Sequence, residues 1–183
     1  MLLGEPRITS NELAEKFVSG VFKEMSRDGD QVISELSLSK WTGTVFRVLD
    51  QLGSSLGYDH RYPWRVDFIW WDTKSEELAL AVESELSPSL RAIEEDFQKL
   101  TVFKCPVKLF IFKGDVEKTK RSAEHYLQKR CQHVKDEEYI LIGFSSRPRC
   151  FFFRVPHDGR MQGQEIVQFS ELRLSSPFDG APD

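Results

Sequence analysis

Along residues 10–25 apolar side chains return every fourth position, at Leu13, Phe17, Val21 and Met25. That is the spacing of one helix face, and Thr9 or Ser10 supplies a capping hydroxyl. After the turn-forming SRDGDQ, a stripe of Trp41, Val45, Val48, Leu49 and Leu52 predicts a helix over 39–56, loosened at its end by Gly53 and Gly57. The period then shortens. RYPWRVDFIWWD predicts a strand, TKSE a turn and EELALAVESEL a second strand, the two forming an antiparallel hairpin. Ser87, Pro88 and Ser89 open a helix with Leu90, Ile93, Phe97 and Leu100 inward. CPVKLFIFKG reads as a buried strand, and 116–134 as a helix rich in charge. YILIGFS and CFFFRVP read as a hairpin across SSRPR, EIVQFSEL as an edge strand, and 175–183 as a flexible tail.

The helix between Glu85 and Pro106 is a crossover connection, which sets the strand at 106–113 parallel to that at 78–86. The expected class is therefore α/β, a mixed sheet flanked by helices. With 183 residues the chain suits one domain. We place that domain at 1–174, with a helical extension at 1–38, a core at 40–113 and a final helix and strands at 114–174.

Composition narrows the field. Hydrophobic residues make up 40% and charged residues 30%, as in soluble globular proteins. A net charge of -4 gives no global attraction to nucleic acid, so such binding would need a local basic patch. No apolar run approaches the roughly 20 residues of a membrane helix, and the first residues do not read as a secretory signal. Cys105, Cys131 and Cys150 are far apart and odd in number, which fits thiols in a reducing cytoplasm. His60, His125, His133 and His157 form no cluster. Serine-hydrolase, P-loop and dinucleotide-binding motifs are missing from the sequence.

The chemistry gathers around three acids. Asp67 interrupts the apolar run WRVDFIWW, and Glu83 and Glu85 end the next strand one residue apart, on one face. A hairpin that pairs Thr73 with Glu77 around a three-residue loop, 74–76, sets Asp67 opposite Glu83. A slip of one residue would put them on opposite faces. Clustered carboxylates suit a hard divalent ion, which keeps waters and a phosphate oxygen. Lys99, on the following helix, is the nearby cation.

The ordered set VDFIWWD, LALAVESEL, a helix ending DFQKL and then PVKLFIF resembles the PD-(D/E)XK nuclease superfamily, over about residues 40–113. The resemblance implies a restriction-endonuclease-like fold and phosphodiester hydrolysis, in DNA, with Mg2+ or Mn2+. It makes Asp67 and Glu83 metal ligands and brings Gln98 toward the site. Glu85 stands where the family usually has lysine, so Lys99 takes the lysine role, and Val66 replaces the proline before the Asp. Glu35 and Asp50 are the candidates for an acid contributed by the first core helix. Arg147 and Arg149 are candidate substrate contacts, as are Lys118, Lys120, Arg121, Lys129 and Arg130 on the charged helix.

Plainer readings stand beside these. Asp67 pairs with Arg65 or Arg91. Glu83 and Glu85 are a hydrated strand end. Lys99 pairs with Glu95, four residues earlier. The charged helix is a solvated surface. Trp64, Trp70 and Trp71 pack under a helix rather than stack on bases. A catalytically inactive protein of the same fold, binding nucleic acid or a protein partner, remains the alternative function. A homodimer through the C-terminal strands is compatible with either.

Overall fold

The computed structural model describes residues 8–28, 37–63, 65–85, 89–113, 115–129, 137–144, 149–154 and 162–168. The first two helices, α1 (Ser10–Arg27) and α2 (Leu38–Ser55), lead into β1 (Asp59–Arg61), β2 (Phe68–Asp72) and β3 (Glu77–Glu85). Then follow α3 (Leu90–Val102), β4 (Val107–Lys113), α4 (Val116–Lys129), β5 (Glu138–Phe144), β6 (Arg149–Arg154) and β7 (Gln162–Gln168). All strands join one seven-stranded sheet in sequence order. Strands β3, β4 and β5 are parallel, and the other neighbours are antiparallel. The expected mixed sheet flanked by helices is what forms.

Parallel pairing follows from the crossovers, since each parallel step carries a helix, α3 and then α4. Both pack on the same face of the sheet with Ala81, Phe110, Phe112 and Leu141. The opposite face carries α1 and α2, over Phe68, Trp70, Leu80, Val82, Leu109 and Ile111. Helix α1 is integral to that core, with Leu13, Phe17 and Val21 buried and Phe17 edge-on to Phe144 at 6.4 Å. Its start is fixed by a capping box in which Thr9 and Glu12 satisfy each other's backbone amides. Central strands covered on both faces read as the continuous apolar runs VKLFIFK and EYILIGF.

Three expectations change in detail. The run 61–72 is not one strand. It breaks between β1 and β2, where Pro63 can donate no ladder hydrogen bond and restricts Tyr62 before it. Asp67 therefore lies just ahead of β2 rather than inside it. The β2–β3 loop has four residues, 73–76, because Asp72 pairs with Glu77, and Glu76 adopts a positive φ of 56°. The last strand begins earlier than EIVQFSEL suggests, at Gln162. Residues 130–136 of the charged segment, with Arg130 and His133, lie outside the described residues.

A buried polar network sits at the start of β4 and β5. Lys108 of β4 is fully buried and forms an ion pair with Glu137, just ahead of β5. Tyr139 hydroxyl accepts from Lys108 Nζ at 3.0 Å and donates to Glu137 at 2.9 Å. The network satisfies a charge that would otherwise be costly to bury.

Trp70 locks β2 to α2. Its indole donates to the Leu49 carbonyl at 3.0 Å and stacks on Tyr58 at 5.5 Å. The approach is so close that a Cβ on Gly53 would lie 2.5 Å from Trp70 Nε1. Gly53→Ala is therefore expected to lower stability by about 1–3 kcal/mol, the usual cost of overpacking, measured as a lower urea midpoint. An unchanged midpoint would show that α2 can move away from the indole.

Candidate functional site

The site is made by an irregularity in β3. Beside the loop, Trp71 pairs with Leu78, but from Trp70 onward the partner is Leu80, so Ala79 is an extra residue, a β-bulge. Leu78 packs on the α3 face, Ala79 and Leu80 both pack on the α1–α2 face, and Ala81 returns to the α3 face. The bulge thus turns Glu83 toward α3. A continuous ladder from Asp72 and Glu77 would have sent it the other way. Phe68 pairs with Val82, and one step beyond that pair Asp67 reaches the end of β3. Its Oδ2 accepts the Ser84 amide at 2.8 Å. On the opposite face Trp41 donates its indole N–H to Ser84 Oγ at 3.3 Å, so α2 braces the same residue.

Glu83 is the anomaly. Only 1% of the residue is exposed, and its Oε1 is buried with no hydrogen-bond partner. Burial above all, then the neighbouring Asp67, raise its carboxyl from an ordinary 4.5 to about 9. Asp67 is also raised, chiefly by burial, with the Ser84 amide working in the opposite direction. Each of the two carboxyls bears on the titration of the other. At neutral pH Glu83 therefore carries a proton.

Helix α3 brings two further groups. Lys99 Nζ lies 3.9 Å from Glu83 Oε1, while its close partner is Asp96, one helical turn back. With Glu83 protonated, the charge that balances Lys99 is that of Asp96. Burial works against the Lys99 charge, but Asp96, Glu83 and Asp67 outweigh it and hold the ammonium above the usual lysine range. Asp96 was not anticipated. The spacing of Glu95 and Lys99 drew attention instead, yet Glu95 is taken by Arg91 at 2.7 Å. The signal available in the sequence was the other helical spacing, Asp96 with Lys99.

Glu85 is half-buried at the end of β3, on the Glu83 face. Gln98 lines a cleft of roughly 230 Å3 between α3 and α4, with Phe97, Thr119 and Tyr126, on the side of α3 away from Lys99. Arg149 opens β6 in the same row of the sheet as Glu85, through Phe112 and Gly143. Three strand spacings separate that row's ends, roughly 14 Å. Asp50 pairs with His60 at 2.5 Å, and α2, which carries it, packs on the opposite face. Trp70 packs under α2 as the plainer reading has it. Glu35, Trp64 and Arg147 lie outside the described residues.

Among the described residues, no group of three or more His, Cys, Asp or Glu side chains is placed to hold a metal ion. No described helix is long and apolar enough to cross a membrane. No protein-family model, curated protein or solved structure matches the chain.

The raised Glu83 carboxyl has a sign that can be checked. The folded state holds this proton from about 4.5 up to about 9, whereas the unfolded chain releases it near 4.5. Stability is complete below the lower value and falls as pH rises through that window. Glu83→Gln, which needs no proton, is expected to stabilise the metal-free protein by an amount that grows with pH, by at most about 1.4 kcal/mol per unit. Denaturant titrations between pH 5 and pH 9, compared with wild type across the range set by the Glu83 shift, measure it. A gain independent of pH would remove Glu83 as the proton holder.

Proposed function

We propose that the protein is a divalent-metal-dependent nuclease that hydrolyses phosphodiester bonds, in DNA by the resemblance to the PD-(D/E)XK superfamily. The observation that carries this reading is the unbonded, buried Oε1 of Glu83 beside the Asp67 carboxylate. Natural structures rarely leave such an oxygen unsatisfied without a function or an ion to explain it. Two carboxylates fit Mg2+, which takes one or two and completes its octahedron with water and phosphate oxygen. Asp67 and Glu83 would hold that ion, and when bound it would supply charge stabilisation at phosphorus and an activated water.

The chain's own groups have separable roles in this reading. Asp67 is oriented by the Ser84 amide, which holds its Oδ2. Loss of the Glu83 proton accompanies ion binding, so affinity rises with pH. Lys99, 3.9 Å from Glu83, stabilises charge on the scissile phosphate. Glu85, at the lysine position of the family, accepts a proton from water.

A second reading is favoured by a specific observation. Asp67 accepts the Ser84 amide and Lys99 is held by Asp96, so much of the cluster has partners without a metal. A non-catalytic nuclease-fold protein that binds nucleic acid or a protein partner would keep such a network as structure.

Plasmid cleavage separates the two. With Mg2+ or Mn2+, wild type is expected to nick or linearise supercoiled DNA, Glu83→Ala to lose that activity, and Lys99→Gln to slow it by about 100-fold. Calorimetry should show one Mn2+ site that Asp67→Asn abolishes. Equal cleavage by wild type and Glu83→Ala would overturn the nuclease assignment. Absence of both cleavage and a metal site in wild type would favour the non-catalytic reading.

A further inference from the structure

The face of the sheet that carries Asp67 and Glu83 continues past α3. That helix packs on β3 and β4, and beyond it lie β2 and β1. Ile69 of β2 belongs to this face, and alternation within β2 puts Trp71 there as well. Arg61 of β1 pairs with Ile69, directly opposite, and so shares the face. The Arg61 guanidinium lies 4.7 Å from the centre of the Trp71 ring. Arg61 is exposed, Trp71 is half-buried, and among the described residues Arg61 forms no ion pair with a carboxylate.

We infer that Arg61 and Trp71 form a platform for the sugar-phosphate strand that enters the Asp67–Glu83 site, an inference that rests on the nuclease reading. An arginine stacked on an indole is held in place by the ring while its N–H donors stay available. A phosphodiester is the ligand whose geometry and charge match such a fork. The exposed part of the indole offers an adjacent base a stacking surface that does not depend on its identity. The positions agree. Asp67 immediately precedes β2 and Trp71 lies near its other end, while Arg61 sits one strand across from Ile69, between them. Asp59, opposite Trp71, marks the outer end of the platform with a charge that repels phosphate. The net charge of -4 makes one well-placed arginine matter more than it would on a basic protein.

The test is binding of a fluorescein-labelled single-stranded oligonucleotide, followed by anisotropy across a salt series, with Ca2+ in place of Mg2+. Arg61→Ala is expected to weaken binding about tenfold at low salt and to lower the salt slope by about 1. Arg61→Lys is expected to keep the slope and lose part of the affinity, because an ammonium does not stack as a guanidinium does. Trp71→Leu is expected to weaken binding about tenfold without changing the slope. Because Arg61 is exposed, its variants fold even where Trp71→Leu does not. Wild-type affinity and slope in Arg61→Ala would overturn the platform, as would no oligonucleotide binding by wild type at low salt. If Arg61→Ala loses binding and wild type still cuts nothing with Mg2+ or Mn2+, the platform stands and the nuclease reading falls. If wild type cuts and Arg61→Ala cuts with unchanged KM, the nuclease reading stands and the platform falls.

Discussion

One inserted residue decides the chemistry of this sheet. Ala79 has no partner of its own in the β2–β3 ladder, and its presence exchanges the faces of everything that follows it in β3. Without the bulge, Glu83 would meet α1 and α2, where Phe68, Val82 and Ile111 leave no compensation for a carboxyl. With it, Glu83 meets Asp67 and the polar side of α3. The bulge, the four-residue loop and the strand break before Phe68 form one solution: each shifts the chain so that the carboxylates converge at the end of β3.

The electrostatic state of the cluster follows from that convergence. Two acids in contact beneath a helix cannot both be charged, and burial selects the more enclosed one, Glu83, to keep the proton. Lys99 does not reverse this, because Asp96 holds it first. The arrangement is poised: an added cation would replace a proton on Glu83, and displacement of Lys99 from Asp96 would free a positive charge at the same place.

The sequence made some of this legible and hid the rest for identifiable reasons. The parallel order of β3 and β4 was readable because a helix of adequate length separates two apolar runs, and a crossover leaves little choice. Asp67, Glu83 and Lys99 were singled out because an acid in an apolar run demands compensation. The bulge was not readable, since ELALAVESE alternates no differently around Ala79 than elsewhere. The strand break at Pro63 was available in principle but was masked by the aromatic richness on either side of it. Asp96 was hidden by the denser spacing signals of Arg91, Glu95 and Lys99, of which the structure uses one and replaces another. Gln98 shows the limit of analogy, for its helical phase sends it toward α4 and not toward the carboxylates.

The buried trio of Lys108, Glu137 and Tyr139 bears on how β4 and β5 find their alignment. VKLFIFK and EYILIGF are both nearly uniform in greasiness, so sliding one past the other by two positions would bury almost the same apolar area. Hydrophobicity alone therefore offers these strands a shallow corrugation with several comparable stops. The ammonium and carboxylate convert it into a single detent, because any other alignment strands two unpaired charges in the interior. Since β3 is indexed to β4, the detent also sets the row in which Glu83 stands. A lysine that touches no ligand thereby keeps the far end of the sheet in step with the acids.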